Sequence, residues 1–236
     1  SVVAFALIGL GWTSWQRAPV FRNDESLWRD TIVKNPEAVL AHNNLGNIRR
    51  REGNLMEAEF HYRNALELSP DYAQIHNNLG TVLADLGRRA EAAGEFETAL
   101  QLRPQLPGAH ENLARLLAEA GRDDEAIQHL HAAASAEAYL PLGELLQRRG
   151  RYAEADRTYR DGMAVMPDNL HLANEHAWLL ATCPDPKVRR PSEALRVAER
   201  ICAQTHRQEP EVLITLAAAQ AAIADKQAAA KKLAKK

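Results

Sequence analysis

The chain has 236 residues, 46% hydrophobic and 25% charged, which is the balance of a folded protein and not a disordered one. Lys plus Arg total 29 against 31 Asp plus Glu, so there is no broad positive field of the kind nucleic-acid binders carry. Aromatics reach only 6% and cysteines number 2, which excludes a disulfide-dense scaffold and leaves alanine and leucine to pack close helices.

The first element is an apolar run, Val2 to Trp12, reading VVAFALIGLGW. It is shorter than the roughly 20 apolar residues a membrane span needs. It also lacks the basic start and small-residue cleavage pattern of a signal peptide. Trp12, Trp15 and Arg17 close it, as aromatic and basic residues do at the water end of a membrane helix. Residues 1–22 are therefore expected to be an apolar segment with two open readings, the end of a membrane helix or a helix capping a soluble fold. Residues 23–236 are expected to form an array of about six helix-pair units with a terminal cap.

The array opens on DESLWRDTIVKNP (24–36), which reads as the second half of a repeat. Repeats are then plain, with Pro36, Pro70 and Pro104 falling 34 residues apart. The phrases AHNNLGNIRRREG (41–53) and IHNNLGTVLADLG (75–87) recur at the same period. Ala58 and Tyr62, then Ala92 and Phe96, mark the second helices. Gly46, Gly80, Ala58 and Ala92 are small where two helices meet, while Tyr62 and Phe96 are expected to fill the space between neighbouring repeats. Turn glycines Gly53, Gly87, Gly121 and Gly150 step by 34, 34 and 29, so the stretch HAAASAEAYLPLG is five residues short. Further on, Pro184, Pro186 and Pro191 stiffen a longer loop, and a seventh helix pair is expected from about Pro210 to the end.

These landmarks, Leu45-Gly46, Ala58, Tyr62, Pro70 and Leu79-Gly80, Ala92, Phe96, Pro104, resemble the tetratricopeptide repeat. The resemblance implies an all-α fold, a right-handed α-solenoid of stacked antiparallel helix pairs whose first helices line a concave groove. It also implies a scaffold for a protein or extended peptide, with no catalytic residue, cofactor or metal.

Two periodic stripes bear on function. His42, His76 and His110 recur 34 apart but sit at a packing position, and equivalent positions on stacked helices are too far apart to share one metal ion. Asn44, Asn78 and Asn112 recur at the same period, preceded by Asn43, Asn77 and Glu111. A carboxamide donates and accepts, so a row of them can pair with a peptide backbone whatever its side chains. The row resembles the asparagine ladder in the repeat domain of O-GlcNAc transferase, which implies an extended peptide in the groove. The competing reading is that these asparagines bond neighbouring backbone. The candidate groove residues are Asn43, Asn44, Asn47, Asn77, Asn78, Glu111, Asn112 and Arg115; Asp85 and Glu144 add further charge, and the mixed signs argue against RNA. No lysine precedes the ladder asparagines, which disfavours a carboxylate clamp.

The opening WTSWQRAPVFRNDESLWRDTIVKNPEAVLAHNNLG looks like the membrane-to-repeat junction of transmembrane and tetratricopeptide-repeat proteins, which resemble O-mannosyltransferases. Trp15, Phe21, Leu27-Trp28, Asn35-Pro36 and Asn44-Leu45-Gly46 carry that likeness. The run HAWLLATCPDPKVRRPSEALRVAERI is similar to a segment common in bacterial repeat proteins. Together these imply a soluble repeat domain on a membrane glycosyltransferase-like protein, with a soluble cytoplasmic assembly scaffold as the alternative.

Overall fold

The computed structural model describes residues 24–205 and 209–233, so the expected apolar segment 1–22 lies outside the described residues. Those residues form twelve helices, with no strand among them. In chain order they are α1 (Asp24–Lys34), α2 (Val39–Arg51), α3 (Leu55–Leu68), α4 (Ala73–Asp85), α5 (Arg89–Leu102) and α6 (Pro107–Glu119). They continue as α7 (Asp123–Ala133), α8 (Tyr139–Arg148), α9 (Tyr152–Val165), α10 (Leu170–Thr182), α11 (Pro191–Gln204) and α12 (Pro210–Leu233). The fold is an all-α solenoid built of antiparallel helix pairs. The described residues divide into two compact units, those up to Leu113 and those from Ala114 onward, with the boundary inside α6. In the first unit α2 packs on α3, α3 on α4 and α4 on α5; in the second, α8 packs on α9, α10 on α11, and α12 on both α10 and α11.

Small residues let the helices of a pair approach closely. A Cβ added to Gly46 would lie 2.7 Å from the Tyr62 ring, one on Gly80 2.6 Å from Phe96, and one on Gly143 2.3 Å from Tyr159. All three rings are fully buried. This corrects the expected position of Tyr62 and Phe96: each ring lies against the glycine of its own pair instead of only bridging to a neighbour. The other pairs trade volume at the same register, with Ala114 and Leu130 in the third and Ala177 and Ala198 in the fifth, all buried. The turn glycines end the first helices in the left-handed region, with φ between 72° and 80°.

The missing five residues come out of the helices, since α7 has 11 residues and α8 has 10 where α3 has 14 and α4 has 13. Ala134 stops α7 in the left-handed region at φ 47°, at a steric cost of about 1–2 kcal/mol. The expected seventh pair is instead the single 24-residue helix α12. Between Glu211 and Leu233 there is no glycine or proline to break it, and alanine-rich sequence favours continuation. No helix of the described residues is long and apolar enough to cross a membrane.

Candidate functional site

First helices of successive pairs stand side by side, and their asparagines link them. From α4, Asn78 Nδ2 donates to Asn43 Oδ1 on α2 at 3.1 Å and lies 3.5 Å from Asn47 Oδ1. From α6, Asn112 Nδ2 donates to Asn77 Oδ1 on α4 at 3.1 Å and to Thr81 Oγ1 at 3.3 Å. Gln74 donates to Asn78 Oδ1 at 3.2 Å, and the Tyr62 hydroxyl donates to Asn47 Oδ1 at 2.8 Å. The asparagines thus bond side chains across repeats, an arrangement different from the backbone pairing set against the groove. Desolvation holds the Tyr62 hydroxyl well above its usual range, at about 12.

Of the candidate residues, Asn77 is buried, Arg115 is exposed, and Asn43, Asn44, Asn47, Asn78, Glu111 and Asn112 are half-buried. Asn43, Asn47, Asn77, Asn78 and Asn112 are joined in this network. Asn44 has no partner among the described residues, because no described first helix precedes α2. Arg115 lies in the second unit, where it pairs with Glu119 at 3.3 Å.

The periodic histidines do more than pack. His42 Nε2 meets the Pro36 carbonyl at 3.1 Å, His76 the Pro70 carbonyl at 2.8 Å, and His110 the Pro104 carbonyl at 2.9 Å. Each ring clips the start of a first helix to the loop before it. The signal was present in the sequence as a proline six residues before each histidine. Among the described residues no group of three His, Cys, Asp or Glu side chains is placed to hold a metal ion.

An ion cluster that sequence reasoning missed joins successive pairs. Glu59 on α3 binds Arg88, the residue before α5, at 2.8 Å, and Arg63 one turn along at 2.8 Å. Asp156 on α9 repeats the arrangement, with Arg190 before α11 at 2.6 Å and Arg160 at 3.0 Å. Asp156 also accepts from His176 Nε2 at 2.7 Å. His176 occupies the register position of Leu45 and Leu79 and is only 2% exposed; its Nδ1 has no partner among the described residues.

Burial holds the His176 imidazole below its ordinary range, against the opposing pull of the Asp156 carboxylate. The unfolded chain therefore takes up this proton first as pH falls, and stability drops below about pH 6.5. His61 shifts in the same direction, from burial and then from His42. Glu91, Glu125 and Glu154, held low by Arg88, Arg122 and Arg151, contribute only at more acid pH. The melting temperature should fall between about pH 7.5 and pH 5.5, and fall less in His176→Gln. An equal fall in the two proteins would remove His176 from the account.

Helix pairs with glycine-aromatic contacts at a fixed register define a helical-repeat protein. Tetratricopeptide-repeat family models match residues 46–87, 77–141 and 138–173, so residues 46–173 are tetratricopeptide repeats and the chain belongs to that family. No curated protein matches it. Among solved structures, it is similar to one described as the functional characterization of Pseudomonas aeruginosa pilF, at 24% identity and TM-score 0.68, covering 83% of this chain and 89% of that one. It is also similar to YrrB, described as a TPR protein with an unusual peptide-binding site, at 21% identity and TM-score 0.61, covering 79% and 95%. MamA is a third, at 18% identity and TM-score 0.60, covering 73% and 94%. At these identities the likeness concerns the fold. The family is that of protein-interaction scaffolds, consistent with a chain that binds and does not catalyse.

Proposed function

We propose that the chain holds an extended peptide segment of a protein partner along the face of its first helices, with the asparagine row pairing to the peptide backbone. The observation that carries this is the alignment of Asn43, Asn78, Asn77 and Asn112 by hydrogen bonds across consecutive first helices. The network holds the carboxamides in fixed orientations, so less freedom is lost on binding. Asn44, the Nδ2 groups of Asn43 and Asn47 and the Asn112 Oδ1 remain for a ligand among the described residues. Glu111 and Arg115 extend this row in the proposal. YrrB, a tetratricopeptide protein with a peptide-binding site, supports the same use of the fold.

The test uses the full chain and peptides selected on it from a random library. Asn44→Ala should weaken binding about 2- to 12-fold, the equivalent of one neutral hydrogen bond of about 0.5–1.5 kcal/mol, and leave the melting temperature unchanged. Asn112→Ala should reduce both, because Asn112 also ties α6 to α4. Full affinity in both variants would end the proposal.

The proposal extends to the setting of the array: a 23–236 repeat region serving as the soluble carboxyl-terminal part of a bacterial membrane glycosyltransferase-like protein. The support is the apolar run 2–12 with its Trp12, Trp15 and Arg17 border and the likeness of the first 46 residues to a membrane-to-repeat junction. Reading the gene upstream of Ser1 tests it: further apolar spans are expected, and a start codon immediately before Ser1 would favour a soluble scaffold.

A further inference from the structure

The asparagine row ends before the second unit, where Pro141 and Glu175 take its register, but one asparagine returns there. Asn174 precedes His176 by two residues, as Asn43 precedes Leu45 and Asn77 precedes Leu79, so it stands at the same register position. In the first unit the Oδ1 of that asparagine accepts from the sixth residue of the next first helix, Asn78 or Asn112. The sixth residue of α12 is Thr215, and its hydroxyl donates instead to the Glu211 carbonyl at 3.1 Å. Asn174 is 3% exposed, and its Oδ1 has no donor among the described residues.

Asn174 lines two adjoining cavities of about 210 and 250 Å³, which share His171, Asn174 and Glu211. Each is smaller than the roughly 300–1,000 Å³ that holds a drug-sized ligand, and suits one side chain. Glu209 lines the first cavity; Glu175, Trp178 and Ile214 line the second. No lysine or arginine lines either among the described residues. Burial, then the Glu144 carboxylate, push the Glu175 carboxyl up; His171 opposes the rise and Glu211 adds to it, so among the described residues carboxylates outnumber the one titratable base at the cleft. Trp178 is 36% exposed and lines the second cavity, and an indole ring attracts a cation.

We infer that the cleft between α10 and α12 receives a lysine or arginine side chain of a peptide segment, with Asn174 Oδ1, Glu175 and Glu211 as its acceptors. This rests on the peptide-scaffold reading and adds the chemistry of the partner to it. A nitrogen donor satisfies the Asn174 oxygen, the positive charge relieves the crowded carboxylates, and the alkyl stem packs on Trp178 and Ile214.

The experiment selects peptides from a random library on the full chain and compares each basic peptide with its glutamine-substituted analogue by fluorescence anisotropy at two salt concentrations. Basic residues should be enriched at one peptide position, with at least tenfold tighter binding than the analogue and weaker binding at high salt. Glu211→Gln should erase most of that preference. Thr215→Asn, which returns the missing donor to Asn174, should raise the melting temperature and also lower the preference. Peptides that bind with no basic preference, or a preference untouched by Glu211→Gln, would overturn this inference and leave the scaffold reading standing. Failure to select any peptide would overturn the scaffold reading itself.

Discussion

Replacing Gly80 with leucine is expected to destabilise the first unit by about 1–3 kcal/mol, the usual cost of overfilling a packed contact. The first added atom would already lie 2.6 Å from Phe96 and 3.1 Å from the Ala92 carbonyl oxygen. The ring cannot retreat, since Phe96 is fully buried, and the carbonyl belongs to the backbone of α5. The third pair suggests the compensation, because Ala114 and Leu130 divide the same volume differently. Gly80→Ala combined with Phe96→Leu should therefore melt closer to the parent than Gly80→Ala alone. Urea denaturation of the four proteins checks this. A Gly80→Leu protein as stable as the parent would mean that α4 and α5 do not pack at this register.

Asp156→Ala is expected to cost about 3–5 kcal/mol, the range for breaking one side of a buried ion pair, and to fall toward its lower end because Arg160 and Arg190 reach solvent. The larger part should come from His176, whose Nε2 loses its acceptor inside the core while Nδ1 already lacks a partner among the described residues. Glu59→Ala removes the corresponding carboxylate from the first unit, where only arginines face it, and should cost less. A double substitution, Asp156→Ala with His176→Leu, restores the apolar residue of the other repeats and should recover much of the loss. If Asp156→Ala and Glu59→Ala cost the same in urea melts, the buried histidine contributes nothing.

The helix pairs were legible because their constraints are local and periodic. Gly46 and Gly80 must be small, Gly53 and Gly87 must adopt positive φ, and Pro70 and Pro104 cannot continue a helix. The same constraints carried the family resemblance, and the expected helical solenoid stands. What the sequence left open depends on which side chains meet across repeats. Asn43 and Asn78 are 35 residues apart, so a search for a single stripe at period 34 finds the row without its diagonal bonds. The Glu59–Arg88 clamp recurs as Asp156–Arg190, but a shorter acid and an eight-residue loop between α10 and α11 hide the match. The terminal helix differs from expectation for another reason. A missing turn glycine suggests a short final pair, but in alanine-rich sequence it lets one helix continue.

The central claim is that a peptide backbone lies on the asparagine row, and the side-chain carboxamide resonances of the full chain report on it most directly. With isotope-labelled protein and a library-selected peptide, the Asn44, Asn78 and Asn112 Nδ2 signals should shift on titration, while Asn64 on the second helix α3 stays in place. The same peptide carrying N-methylated backbone amides should bind weakly and leave those signals unmoved. Tight binding of the N-methylated peptide, or shifts confined to the second helices, would contradict the account.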